Sequence, residues 1–471
     1  MVGIENVNML SSTDTLNTKV DYTKYIILLV MVLIMYLIPY SIKGNAVLYV
    51  YFFSIVALIG ILTKIKGAAF LLLAISLCMP SGWLGTSGLK FHEVDVMNSA
   101  FDKCIRFLLL GVSFVILFTQ KIYREKSLFL LIVSYIFVGI VYSLLADNRN
   151  ELYLALRVCG GCYGFFIICY NDKKITIKDI FICLDVLFII SLLYGILDYI
   201  FHQSPYQFIT NATTDINTIG RARGILGHPL YLSGCALVYQ AIIYVRYYIT
   251  KKFGYIQELL CVAMSLIVVS RTTIVIMILE YLLFVFLSDG YKKKFFIIVN
   301  LFFLVTASLF IVTLYDSVIV DIFTRFENAT VTHRVGAYNA IWNLFKDNPL
   351  GVGISNIMDE IRRQGFGNVL LDQFFSTVDN LFLSQIGGYG IFAFIPIIFY
   401  FYLFYDAFKI RKHNPLLFKI ILTLYVPYTL EAFSFDWETK LCLCMLLFGF
   451  MGYMYRYCLL YNETSRNYSN I

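Results

Sequence analysis

Apolar runs of roughly the length of a bilayer crossing, about 20 residues, alternate with polar breaks along almost the whole chain. On that ruler about fourteen candidates fall near residues 24–42, 45–63, 67–82, 104–119, 127–146, 152–170, 179–201, 229–249, 254–270, 272–289, 294–315, 379–405, 415–433 and 438–460. The pattern predicts an all-α, polytopic integral membrane protein. The third run is short, and the ninth and tenth nearly touch at Ser270-Arg271. One break is much longer than the rest. Residues 316–378 mix polar and apolar positions and hold an amphipathic segment, Arg334 to Phe345, ended by Asp347-Asn-Pro-Leu-Gly351. Loops of that length in a compact protein are usually functional.

Charge marks every second break. Lys64 and Lys66, then Lys121, Arg124 and Lys126, then Lys173, Lys174 and Lys178 are followed by Arg246, Lys251 and Lys252, by Lys292 to Lys294, and by Lys409, Arg411 and Lys412. Cytoplasmic connections collect Lys and Arg. Both termini are therefore expected in the cytoplasm. The outer face is expected to receive residues 83–103, the turn around Arg149, residues 202–228, Ser270-Arg271, residues 316–378 and the tip Phe433 to Glu438. Residues 1–23 are polar and lack an apolar h-region, so the first span is expected to direct insertion. Four regions follow: a cytoplasmic segment 1–23, a transmembrane bundle 24–201, a region 202–405 that includes the loop 316–378, and C-terminal helices with a cytoplasmic tail, 406–471.

Composition excludes a soluble globule: of 471 residues 60% are hydrophobic and only 14% charged, too few to cover a surface of that size. The formal charge of +7 is spread over the connections, which suits membrane orientation and not nucleic-acid binding. The eleven cysteines lie mostly inside apolar runs and imply no disulfide framework. Cys159-Gly-Gly-Cys162 has no second ligand pair and reads as small packing residues within a helix. Neither a metal nor a cofactor is expected.

Arginines where the inside rule disfavours them change the picture. Gly220-Arg-Ala-Arg-Gly-Ile-Leu-Gly-His-Pro-Leu-Tyr231 places Arg221, Arg223 and His228 immediately before an apolar run. Guanidinium groups present a planar fork that matches phosphate oxygens, and Pro229 suits the first turn of the helix that follows. Arg271, His333, Arg334 and Asp379 come from the other outer segments. A charge toward the membrane core costs roughly 2.5–3.5 kcal/mol, so an anionic partner outside is expected. Plainer readings stand beside this one. The arginines can pair with acids or lipid headgroups, His228 and Asp379-Asn380 can cap helices, and Trp342 can be a packing or interfacial anchor. Arg157, Asp185, Glu258, Glu280 and Glu431 fall within or near apolar runs, as functional groups or as internal pairs that orient helices.

Four pieces of the chain carry a resemblance. Arg221 through Leu232 resembles the Arg-x-x-Gly then His-Pro-x-x-Leu pattern of the O-antigen polymerase and O-antigen ligase superfamily of bacterial membrane glycosyltransferases. Val269-Ser-Arg-Thr272 resembles its Ser-Arg at the outer end of a helix. His333-Arg-Val-Gly-Ala-Tyr-Asn-Ala-Ile-Trp342 with Asn348-Pro-Leu-Gly-Val-Gly353 resembles the amphipathic helix and Pro-x-Gly-x-Gly turn of its large external loop. Asp379-Asn-Leu-Phe-Leu383 through Gly390 resembles the pattern where that loop re-enters the membrane, with Asp379 where ligases have His.

The resemblance implies an architecture like that of the family C glycosyltransferases, with a partly helical extracytoplasmic loop and a site on the periplasmic face of the inner membrane. It implies undecaprenyl-diphosphate-linked oligosaccharide as substrate, and a chain-length regulator and flippase of the same pathway as partners. Asp379 favours a repeat-unit polymerase, for O-antigen or a related capsule or surface polysaccharide. On that reading Arg221, Arg223, Arg334 and Arg271 hold the diphosphate. Asp379 is the first choice of base, then His333, then His228, and transfer is metal-independent and inverting. A lipid-linked oligosaccharide flippase and an O-antigen ligase are the alternatives.

Overall fold

Helix is the form in which an apolar run can satisfy its own backbone away from water, and nearly all that the structure describes is helical. The structure is a computed structural model, and it describes residues 59–61, 69, 73, 91–120, 126–145, 150–172, 175–201, 222, 229–268, 270–288, 294–295, 297–298, 301–302, 305, 331–363, 380–433 and 441–469. In chain order these give α1 (Phe91–Gln120), α2 (Lys126–Leu145), α3 (Asn150–Val158), α4 (Phe165–Asn171), α5 (Ile177–Phe201), α6 (Pro229–Thr250) and α7 (Tyr255–Val268). They continue as α8 (Arg271–Leu287), α9 (Val331–Asp347), α10 (Ile357–Arg363), α11 (Leu381–Tyr389), α12 (Phe394–Lys409), α13 (Pro415–Ala432) and α14 (Leu441–Ser469).

Six spans among the described residues are long and apolar enough to cross a membrane: Leu128–Leu145, Glu151–Asn171, Ile177–Ile200, Leu381–Lys409, Pro415–Ala432 and Cys442–Leu459. Ile105–Thr119, α7 and Thr272–Leu287 are shorter apolar helices. The architecture is that of an all-helical membrane protein. The runs near 24–42 and 45–63 fall wholly or mostly outside the described residues, as do those near 67–82 and 294–315, so the count of fourteen rests on the sequence.

Three elements differ from the apolar pattern. The fourth run extends backward, because α1 begins at Phe91 and takes in part of the expected outer segment. The sixth is interrupted by a π-helical turn, Cys159–Gly164, which joins α3 to α4. Cys159 and Cys162 are buried there and form no disulfide, and a side chain at Gly160 would place its Cβ 2.0 Å from the Arg106 carbonyl oxygen. The CxxC spacing is thus a packing device for α1. The twelfth run is a broken helix: a 3-10 turn, Gly390–Ala393, separates α11 from α12.

Local chemistry starts the helices where they start. Thr176 and Asp179 form a reciprocal capping pair before α5, with Thr176 Oγ1 donating to Asp179 Oδ2 at 2.8 Å and the Asp179 amide donating to Thr176 Oγ1 at 3.2 Å. Asn414 caps α13 by accepting from the Leu417 amide at 3.0 Å, with Pro415 at the first helical position. The Asn414 amide also donates to the Cys458 carbonyl at 3.1 Å and so ties α13 to α14.

The centre and the rim follow from burial. The α14 window is 83% buried and lies against α4, whereas that of α2 is only 33% buried. Phe107 and Phe118 on α1, Phe137 and Leu144 on α2, and Leu282 and Phe286 on α8 are exposed apolar side chains of the kind that face lipid. Asp185 pairs with Arg246 at 2.6 Å between α5 and α6, an internal pair of the sort its place in an apolar run suggested. Arg157 lies over the Tyr153 ring at 5.2 Å.

Contacts between helix ends show a bundle that runs up and down. One end holds Tyr142 near the end of α2 and Glu151 at the start of α3, which bond Leu350 and Ser355 in the segment after α9, and Asn380 before α11, which bonds Phe433 after α13. At the other end Tyr453 of α14 donates to Asp172, just after α4, at 3.0 Å. The first end, which carries α9 and α10, is here called the loop end.

Candidate functional site

The loop end gathers the segments that the sequence singles out, but the backbone is what can be placed there. Arg221, Arg223, His228 and Asp379 lie outside the described residues. Arg271 opens α8, and His333 and Arg334 stand in the first turn of α9, with side chains outside the description. Two corners result.

In the first corner, Ala222 between the two arginines is buried, and its amide donates to the Ile267 carbonyl at 3.0 Å. Ile267 lies in the last turn of α7, four residues before Arg271. Ser270 accepts from Thr273 Oγ1 at 2.8 Å, and α8 begins with Arg271. The backbone around residues 222 and 271 thus shares one corner. Pro229 begins α6 immediately after His228, as expected of a helix-opening proline.

In the second corner, Asn380 is the N-cap of α11. Its Oδ1 accepts from the Leu383 amide at 2.9 Å. Its Nδ2 donates to the Phe433 carbonyl at 2.9 Å and to the Tyr338 hydroxyl at 3.2 Å. The residue after Asp379 therefore holds α9, α11 and the end of α13 together, and capping belongs to Asn380. The same α13 reaches the first corner through Tyr428, whose hydroxyl donates to the Gly234 carbonyl of α6 at 3.4 Å.

A third piece of the loop end is the most constrained. After α9 the chain turns at Asn348-Pro-Leu-Gly351 and lays its backbone on the break between α11 and α12. The Gly353 amide donates to the Gly388 carbonyl at 2.7 Å, and the Val352 amide to the Gly387 carbonyl at 3.3 Å. The Ile391 amide donates in return to the Pro349 carbonyl at 2.9 Å. Gly351 has φ +85° and Gly390 φ +53°, conformations that L side chains rarely adopt. A Cβ at Gly351 would lie 2.3 Å from the Gly388 carbonyl, and one at Gly390 would lie 2.2 Å from the Pro349 carbonyl. The two glycine-rich motifs, about forty residues apart in sequence, form one interlock.

Two side chains from α2 and α3 lock it from outside. Tyr142 donates to the Leu350 carbonyl and, at 3.1 Å, to the Tyr389 carbonyl. Glu151 is fully buried. Its carboxylate accepts from the amides of Ile354 at 3.0 Å and Ser355 at 2.7 Å, and from the Ser355 hydroxyl. It thereby caps the 3-10 turn Ile354–Asn356 that leads into α10. The sequence reading gave Tyr142 and Glu151 no role. Glu151 had a signal, as a single acid at the head of an apolar run, but its partner is some two hundred residues away.

Residues 259–433 match the O-antigen ligase family. This is the O-antigen polymerase and ligase superfamily that the four sequence patterns resemble. The family region holds most of α7, the whole of α8 to α13, and both halves of the interlock. Glu151, Tyr142, Ala222 and the start of α6 lie before it in sequence and are brought to it by the fold. No curated protein and no solved structure matches the chain.

The matched region holds α9, whose first turn includes His333 and Arg334, against α11, which follows Asp379, through the Asn380–Tyr338 hydrogen bond at 3.2 Å and an apolar cluster that includes Ile341, Leu344 and Leu383. Trp342 on α9 is 56% exposed, stacks on Phe345 at 5.9 Å and lies under the Lys346 ammonium at 5.7 Å. Its exposure fits an interfacial anchor and excludes a core packing role. No group of three or more His, Cys, Asp or Glu able to hold a metal ion occurs among the described residues.

Proposed function

We propose that this protein is a polysaccharide repeat-unit polymerase. It transfers a growing glycan from undecaprenyl diphosphate to a sugar hydroxyl of an incoming undecaprenyl-diphosphate-linked repeat, at the outer face of the bacterial inner membrane. The observation that carries the reading is the O-antigen ligase-family region at residues 259–433, which makes the chain a membrane enzyme of the glycan-transfer or ligation class. Asp379, where ligases of the superfamily have His, favours polymerase over ligase.

In the proposed reaction the bond between the anomeric carbon and the diphosphate oxygen breaks as the acceptor hydroxyl oxygen bonds to that carbon. Negative charge grows on the leaving diphosphate, and the hydroxyl loses its proton. Arg221, Arg223, Arg334 and Arg271 are the groups proposed for the diphosphate. Asp379 is the proposed base, ahead of His333 and His228. Attack opposite the leaving group inverts the anomeric centre. The donor already carries its activated linkage, so no nucleotide sugar is consumed.

The test is a deletion strain complemented with variants and read by analysis of its lipid-linked glycans. Arg223→Ala and Arg334→Ala are expected to accumulate single lipid-linked repeats at normal protein level, since removing one donor aimed at developing charge costs on the order of 10²–10³ in rate. Normal ladders in both variants would remove the arginines from the mechanism. A ligase, the activity for which the matched family is described, is the alternative. It would be established if the product left undecaprenyl diphosphate for another acceptor.

A further inference from the structure

Away from the loop end, α6, α7 and α8 enclose a set of acids that the proposed transfer reaction does not use. Glu258 on α7 and Glu280 on α8 are each 1% exposed, and Gln240 on α6 is 2% exposed. One oxygen of Glu258 is well served: its Oε1 accepts from Gln240 Nε2 at 2.8 Å and from the Tyr244 hydroxyl at 2.7 Å. The other oxygens are not. Glu258 Oε2, both oxygens of Glu280 and Gln240 Oε1 are buried without a hydrogen-bond partner among the described residues. The two carboxyl groups lie within electrostatic reach of each other and of Tyr244 and Cys261.

Among the described residues the surroundings supply no counter-ion. On α6, Arg246 is committed to Asp185 of α5 at 2.6 Å, and Tyr239 also donates to Asp185. On α7, Cys261 is a buried thiol. On α8, Tyr281 donates to the Ile297 carbonyl, in a segment that carries Lys294 three residues earlier. The packed α13 has Lys419 toward one end and Glu431 toward the other. Two bare carboxylates in so dry a place are untenable, since each buried unpaired ion costs several kcal/mol. Four buried oxygen acceptors with no donor, on three helices that pack together and with Tyr244 stacked at 4.3 Å on Phe284 one turn after Glu280, are a ligand set for a hard cation. They are too few for a divalent ion such as Ca²⁺, which takes about 6–8 oxygens.

We propose that Glu258 and Glu280, with Gln240 Oε1, form an intramembrane site that holds one exchangeable monovalent cation between the two carboxyl groups. Glu258 is the anion, steadied by Gln240 and Tyr244, and the cation lies between its free oxygen and Glu280. The cation is a proton or a sodium ion. The three helices that build the site are those of the first corner, where Pro229 opens α6, Ile267 of α7 accepts from Ala222 and Arg271 opens α8.

The test needs no glycan substrate. Full-length protein in lipid nanodiscs is followed by infrared difference spectroscopy of its carboxyl groups in two arms: sodium chloride exchanged for choline chloride at constant pH, and pH steps without sodium. A sodium site gives a carboxyl difference signal in the first arm, and a proton site gives one in the second arm that ignores sodium. In either case Glu280→Gln removes the signal and Glu258→Gln alters it. Should Glu280→Gln fail to insert, loss or displacement of the signal in Glu258→Gln supports the site in its place. Spectra of the inserted variants identical to wild type in both arms would overturn the site.

Discussion

Replacing Gly351 with Ala tests whether the interlock holds the external loop in place. The new Cβ would lie 2.3 Å from the Gly388 carbonyl oxygen and 2.6 Å from the Gly390 amide nitrogen, both backbone atoms that no rotamer change can move. Alanine at φ +85° also adopts a left-handed conformation that costs roughly 1–2 kcal/mol. Relieving the clash separates the strands of the interlock. The Gly353 to Gly388 bond at 2.7 Å and the Ile391 to Pro349 bond at 2.9 Å are then lost, at about 0.5–1.5 kcal/mol net each. The total is about 2–5 kcal/mol, which corresponds to a roughly 30-fold to several-thousand-fold rise in local opening. Hydrogen exchange of the protein in nanodiscs reads it directly, as faster exchange at Val352, Gly353, Ile354 and Ile391. Gly336→Ala on α9 is the control, because its Cβ would meet nothing within 4 Å and Ala is the better helix former by about 0.8–1 kcal/mol. Equal exchange in Gly351→Ala and wild type would refute the interlock as the loop's anchor.

Two further substitutions probe the same framework. Glu151→Ala is expected to leave the half-buried amides of Ile354 and Ser355 without their acceptor, at up to about 1–3 kcal/mol for each, and to speed exchange chiefly between residues 353 and 363. Glu151→Gln, which keeps an acceptor, should lose less. Gly160→Ala should lower the thermal midpoint of the purified protein, because its Cβ would lie 2.0 Å from the Arg106 carbonyl oxygen. Gly111→Ala, also inside α1 but with open space around its Cβ, should not lower that midpoint, since Ala is the better helix former.

Much of this structure is legible in local sequence. Apolar length predicts where the described helices run, and Asn380, Asn414 and Pro229 announce helix starts because capping and proline geometry act over one turn. The amphipathic stretch from Arg334 to Phe345 falls inside α9. What local pattern misreads is equally physical. A continuous apolar run at 379–405 gives no hint that Gly390 breaks it, because the break is imposed by the Pro349 turn lying on it. Nor does a CxxC spacing disclose that a π turn forms against Arg106. Among the candidate site residues, the arginines stand out in the sequence by positions that the inside rule disfavours, and Asp379 by the resemblance. The buried carboxylate of Glu151 escapes notice because its partners are set by chain topology.

By itself the sequence determined that this chain is helical and membrane-embedded, and that polar chemistry collects in a few of its connections, since hydropathy and charge act residue by residue and need no partner. Only the tertiary structure decided that the turn at 348–353 and the glycines at 387–390 are two halves of one lock, that Glu151 closes it, and that Glu258 and Glu280 are buried on neighbouring helices. Those facts depend on which helices are neighbours. Neighbourhood comes from packing and backbone pairing between segments far apart in the chain, which no local pattern records.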